Sequence, residues 1–288
     1  MTRFLDVRLQ PVGGSLATQV AIFQGTDIGN YQSLSTQQLL SDIQGRNVLI
    51  ATHGFNVDRA SGIAALSNWE GLLRLPAPSV FVGLLWPGDS VWLHGLDYPE
   101  EPAVADHAGQ LVGPFLDANF GGAAGLSFAS HSLGARVLLS TVSSMSRPVR
   151  RATIMAGAID DDCLNAEFPA AAAKIGEISA LASHKDLVLA AAFPLGNFFG
   201  GILDADHPWW HAALGREGPS TPWPANFQPP FEIPDNWDFG HGDYLKIDSP
   251  PTPVIAPPAD VAPNGSAEPA SHGWQEAWTA AFESTRFR

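Results

Sequence analysis

The chain has 288 residues, 45% apolar and 15% charged, which is enough apolar material for a buried core and too little charge for a disordered chain. Its 15 Lys and Arg stand against 29 Asp and Glu, a net charge of -14 that repels phosphate backbones and anionic headgroups and argues against nucleic acid as a partner. No run approaches the ~18 apolar residues of a membrane helix, Met1 to Val7 carries Arg3 and Asp6 rather than the basic start and apolar run of a secretion signal, and the single Cys163 excludes an internal disulfide, a thiolate zinc cluster and a CxxC pair, so the expectation is a cytoplasmic protein without a membrane span.

In chain order, Phe4 to Gln10 and Gln19 to Phe23, separated by Gly13 and Gly14, predict an antiparallel hairpin at a sheet edge. Strand-like runs follow at Asn47 to Thr52, Val80 to Trp86, Gly125 to Ala129, Arg151 to Ala158 and Glu177 to Ser183. They alternate with helix-like segments at Ala60 to Leu73, Ala103 to Ala118, Leu133 to Met145 and Asp186 to Phe193. A βαβ rhythm of this kind implies an α/β fold with a mostly parallel sheet covered by helices. Gly and Pro number 28 and 24, and the prolines crowd beyond residue 200. One domain is therefore expected over 1–248, with a loop-rich insertion at 200–240. A Pro/Ala-rich tether over 249–270 follows, and then a short C-terminal helix within 271–288.

The segment Gly125 to Arg136 carries the chemistry: an apolar strand runs into Ser130-His131-Ser132-Leu133-Gly134 and then a helical stretch. This resembles the nucleophile elbow, G-x-S-x-G, of the α/β-hydrolase superfamily, in which a serine sits on a strained strand-to-helix turn and small flanking residues let the backbone fold sharply. Ser130 stands where the motif has its first Gly and keeps the side chain small. The competing reading is a Ser-rich loop closed by a Gly turn; the strand before and the helix after make the motif specific.

A nucleophilic serine needs N–H donors for the oxyanion. The strand Asn47 to Thr52 ends in His53-Gly54-Phe55-Asn56, similar to the family's HG-X loop. The resemblance implies that Phe55 donates one N–H and Leu133, after the nucleophile, the other from the first turn of its helix. His53 itself reads as structural.

Nine histidines compete for the general base. The family's chain order, Ser then acid then His, selects His241, in Gly240-His241-Gly242, over His272, which lies beyond the tether. For the acid, Ser183-His184-Lys185-Asp186 before an apolar helix resembles the loop after the family's penultimate core strand and favours Asp186. The rivals are the Asp160-Asp161-Asp162 run one strand earlier and a role for Asp186 as no more than a helix N-cap.

His207 and His211 are spaced as zinc ligands on a helix would be, but Pro208 makes His207 a cap and argues against a metal site. Trp209, Trp210 and Trp237 crowd the stretch before His241 and line a substrate pocket on one reading, a satellite core on another. The resemblance covers about residues 40 to 245 and implies an esterase/lipase-like serine hydrolase acting on a small-molecule ester with no metal or organic cofactor. A thioesterase or amidase using the same residues, and an inactive binding or scaffolding protein on this fold, are the alternatives. The oligomeric state cannot be read from the sequence.

Overall fold

The computed structural model describes residues 1–13, 15–73, 75, 78–89, 101–191, 211–228, 231–233, 235 and 238–245. The strands are β1 (Thr2–Arg8), β2 (Leu16–Gly25), β3 (Gln32–Ser33), β4 (Asn47–Thr52), β5 (Ser79–Leu85), β6 (Gly125–His131), β7 (Val149–Met155), β8 (Ile175–Ala182) and β9 (Phe231–Glu232). Between them run α1 (Thr36–Ile43), α2 (Arg59–Leu72), α3 (Glu101–Asn119), α4 (Gly134–Ser144) and α5 (Pro169–Lys174).

The strands form one nine-stranded sheet in the order β3-β2-β1-β5-β4-β6-β7-β8-β9. Only the β1–β2 and β2–β3 pairs are antiparallel; the rest are parallel. The fold is therefore a mixed α/β one with a mostly parallel sheet. All seven residues of β6 are buried. Because successive side chains point to opposite faces, both faces of the sheet are covered at its centre, and the helices cover them. Trp69, Phe81 and Phe128 are among the largest side chains in the core, each contributing roughly 1.5–3 kcal/mol by leaving water. Among the described residues no helix is long and apolar enough to cross a membrane.

The parallel strands end together. Thr52 pairs with Leu84 and Ser130, and Met155 with His131 and Leu181, so the loops after β4, β5, β6, β7 and β8 share one edge. This is where a parallel sheet presents ligand-binding loops.

The expected strands and helices are present with shifted ends. Strand β7 stops at Met155, where Ala156 turns with φ of 45°, and β6 continues to His131. The hairpin lies toward one edge of the sheet, with β1 on its inner side, parallel to β5, and the two-residue β3 at the border. Two charged residues of β1, Asp6 and Arg8, are buried with partners. Asp6 pairs with Arg59 at 2.8 Å and accepts the Tyr31 hydroxyl at 2.9 Å, and Arg8 pairs with Asp89. Helix α1, with its capping box of Ser35 and Gln38, and the short α5, β3 and β9 are additions to the elements read from the sequence. The tether at 249–270, the C-terminal helix within 271–288 and the 200–210 part of the expected insertion lie outside the described residues.

Candidate active site

Ser132 stands at the turn between β6 and α4 with φ of 55°, a left-handed conformation that costs a non-glycine residue about 1–2 kcal/mol. The neighbouring structure holds it there. The Ser132 N–H donates to the Met155 carbonyl of β7 at 3.0 Å, and α4 begins two residues later. The loop after β4 backs directly onto this turn. A Cβ on Gly54 would lie 2.6 Å from Cβ of Ser132, and one on Gly134 would lie 2.5 Å from the His53 carbonyl oxygen. Neither position has room for a side chain, which is why glycine occupies both.

The His241 ring bridges two groups from distant elements. Its Nε2 lies 2.9 Å from Ser132 Oγ and its Nδ1 lies 2.7 Å from Asp186 Oδ2. With Nδ1–H donating to the carboxylate, Nε2 is left as the acceptor for the serine hydroxyl. Asp186 is fully buried after β8, and its other oxygen accepts the Leu189 N–H at 2.9 Å. It therefore caps the helix that starts at 187 with one oxygen and holds His241 with the other. Asp161 and Asp162 of the rival run face His211 instead, at 3.1 and 3.5 Å, and Asp160 bridges to Ala213.

The loop that carries His241 is tied down on both sides. The Ser183 hydroxyl donates to the Phe239 carbonyl at 2.6 Å, and His131 Nε2–H donates to the His241 carbonyl at 2.8 Å. Asp243 accepts the Gly240 N–H at 2.6 Å. The Tyr244 ring packs edge-on against Phe239 and beside His131. Burial, reinforced by the negative charges of Asp186 and Asp243, holds the Tyr244 hydroxyl well above the usual tyrosine range.

His53 is buried and neutral. Burial pulls it down to about 3, against the hydrogen bond to Gly54 and with the help of the Arg8 charge. Its Nδ1–H donates to the Gly54 carbonyl at 2.9 Å, and Trp86 Nε1–H donates to the His53 carbonyl at 2.9 Å. In a trans peptide the carbonyl and the following N–H point in opposite directions, so anchoring Gly54 C=O also fixes the direction of the Phe55 N–H. At the other wall, the Leu133 N–H at the start of α4 meets no acceptor among the described residues.

Arg8 is a second support for this loop, and nothing local in the sequence points to it. The guanidinium donates to the Val57 carbonyl at 2.9 Å and the Trp86 carbonyl at 2.8 Å while pairing with Asp89. It thereby links the loops after β4 and β5. Its only signal is its charge, which requires a partner if the strand that carries it is buried.

Of the residues expected at a site, Ser132, Asp186 and His241 come together at one sheet edge, with Gly54, Phe55 and Leu133 around the turn. Trp209, Trp210 and Trp237 lie outside the described residues, as do His207 and His272. Asp161, Asp162 and His211 bring potential ligand atoms within 4.8 Å of one another, but the imidazole already faces the two carboxylates, an arrangement that an ion pair accounts for.

No protein-family model matches the chain, and no curated protein matches it. Among solved structures it is similar to one described as the crystal structure of esterase PE8, at 15% sequence identity, covering 69% of this chain and 86% of that one with a TM-score of 0.39.

Proposed function

We propose that this protein is a serine hydrolase with an α/β-hydrolase fold over 1–248, cleaving carboxylic esters through an acyl-enzyme. The observation that carries the reading is the hydrogen-bonded chain Ser132 Oγ, His241 Nε2, His241 Nδ1, Asp186 Oδ2, with links of 2.9 and 2.7 Å. Three groups so arranged, one on a strained turn, match a nucleophile, its base and the group that orients the base. Ser132 Oγ attacks the acyl carbonyl while His241 Nε2 takes its proton. The imidazolium, stabilised by Asp186, returns the proton to the departing alkoxide. Water, deprotonated by His241, then attacks the acyl-enzyme and releases Ser132. The oxyanion is assigned to the N–H groups of Phe55 and Leu133, the second at a helix start that favours negative charge.

Esters suit this site better than amides because an alkoxide leaves more readily than an amine, and the aromatic Trp209, Trp210 and Trp237 are assigned to the acyl pocket. A fluorophosphonate probe followed by peptide mass spectrometry tests the reading. It predicts modification on Ser132 in the wild type and none in Ser132→Ala, together with hydrolysis of p-nitrophenyl esters by the wild type alone. A folded wild type that neither labels nor hydrolyses any ester would refute it.

A further inference from the structure

Two consecutive residues of the β6–α4 turn grip opposite ends of the same histidine: Ser132 Oγ meets the His241 ring at 2.9 Å, and His131 Nε2 meets the His241 main-chain carbonyl at 2.8 Å. We propose that His131 is a positioning residue for His241, its Nε2–H fixing the height and tilt of the base over Ser132.

The loop that carries His241 shows why such a support is needed. Residues 238–245 contain no strand and only the 3-10 turn Asp243–Leu245, and Asp238 takes φ of 49°. A ring borne on such a segment keeps its position only through specific ties. Ser183 supplies one at Phe239, two residues before His241. The tie at His241 itself comes from His131, whose ring centroid lies 4.8 Å from that of His241. Because His131 adjoins Ser132 on the rigid end of β6, any movement of the elbow carries the support of the base with it, and the Oγ–Nε2 distance is preserved.

The donor must also be uncharged. A cation beside a base that has to accept a proton would oppose that step by Coulomb repulsion. His131 meets this requirement: burial first, and the neighbouring His241 second, bring it down to about 4, against the hydrogen bond to the His241 carbonyl and the Asp186 charge. An arginine could donate the same hydrogen bond only with a permanent charge. A neutral imidazole provides the donor, the length to reach and a flat face against the Tyr244 ring 5.9 Å away.

Assigning His241 as the base rests on the function proposed above, and the test separates the two. Glutamine places an amide N–H near where imidazole has Nε2, whereas asparagine places it near Nδ1, too short to reach the carbonyl, and phenylalanine keeps the ring without a donor. In the full-length protein His131→Gln is expected to keep kcat within about fivefold of wild type. His131→Asn and His131→Phe are expected to lose about 10- to 100-fold in kcat with KM nearly unchanged, the scale of a misplaced catalytic group. Proton NMR of the same proteins gives a readout independent of turnover. The downfield Nδ1 proton shared by His241 and Asp186 should be sharp in the wild type and His131→Gln, and broadened by exchange in the other two. Equal kcat and equal spectra for Gln, Asn and Phe, with Ser132→Ala inert, would overturn the positioning role and leave the hydrolase reading intact. Full activity of Ser132→Ala would overturn the hydrolase reading, while the spectra would still decide whether His131 holds the ring.

Discussion

Replacing Asp186 by asparagine separates the orienting role proposed for this residue from its role as a helix cap. The two carboxylate oxygens have different partners: Oδ1 accepts the Leu189 N–H at 2.9 Å and Oδ2 accepts His241 Nδ1–H at 2.7 Å. An amide has one acceptor to offer. If its oxygen keeps the cap, its NH2 faces Nδ1, which must then accept, so the proton moves to Nε2 and the ring can no longer take one from Ser132. Turning the amide over restores the tautomer but gives up the cap, about 0.5–2 kcal/mol, and buries an unpaired donor against Leu189 N–H, about 1–3 kcal/mol. A penalty of roughly 2–4 kcal/mol leaves about one molecule in 30 to one in 1,000 competent. Exchanging the charge-assisted hydrogen bond for a neutral one weakens support of the imidazolium by about another tenfold. The expected loss is about 300- to 10⁴-fold in kcat for p-nitrophenyl ester hydrolysis, with the fold retained by circular dichroism, whereas Asn at Asp160, Asp161 or Asp162 changes kcat by at most a few-fold. A folded Asp186→Asn protein keeping more than about a tenth of wild-type kcat would show that this carboxylate does not set the tautomer.

Ser132→Ala is expected to fold normally and lose about 10⁴-fold or more in kcat, since no neighbouring hydroxyl takes its place. Ser130→Ala should retain activity and lose no stability in urea denaturation, because the buried Ser130 Oγ has no hydrogen-bond partner among the described residues to give up. Gly54→Ala forces a methyl to within 2.6 Å of the Ser132 Cβ, and should lower kcat about 100-fold or more; a near-wild-type rate would mean that the loop after β4 yields freely. Stability should fall on acidification. His53 and His131 are held near 3 and 4 when folded, chiefly by burial, and near 6.5 when unfolded, so the unfolded chain takes up protons that the folded one refuses. The loss starts as pH drops through about 6.5 and amounts to about 2 kcal/mol for each histidine at pH 5. His211 opposes it: the Asp161 hydrogen bond and the charges of Asp162 and Asp160 outweigh its burial and raise it, adding stability at low pH. Urea midpoints that do not change between about pH 7.5 and about pH 5 would contradict the buried neutral histidines.

Local patterns made part of this arrangement legible. Strands β4 to β8 stand out because each is a short apolar run, the mark of a strand covered on both faces. Ser132 stands out because small residues flank it where a strand gives way to a helix. Asp186 and His241 are selected by chain order rather than by any local pattern, and the contact with His241 at 2.7 Å depends on a spacing of 55 residues that no window contains. The same limit hides His131. In the sequence it is the unremarkable residue before a serine, and its contact with the His241 carbonyl exists only when the loop after β9 returns across the sheet edge. The inner place of β1 next to β5 is hidden for a different reason. Asp6 and Arg8 imply solvent, and only partners on other elements, Arg59, Tyr31 and Asp89, make their burial affordable.

The inner position of β1 bears on how the chain is made. Synthesis proceeds from the N-terminus, so Thr2–Arg8 and Leu16–Gly25 leave the ribosome as a hairpin whose outer edge has no partner until Ser79–Leu85 follows. During that interval β1 displays a row of free N–H and C=O groups, the kind of edge that recruits other chains. The same residues end in Arg8, whose guanidinium has no carboxylate until Asp89 is made. The nascent molecule thus carries both an open ladder and an unmatched charge through its early life, and one segment, Ser79 to Asp89, closes both.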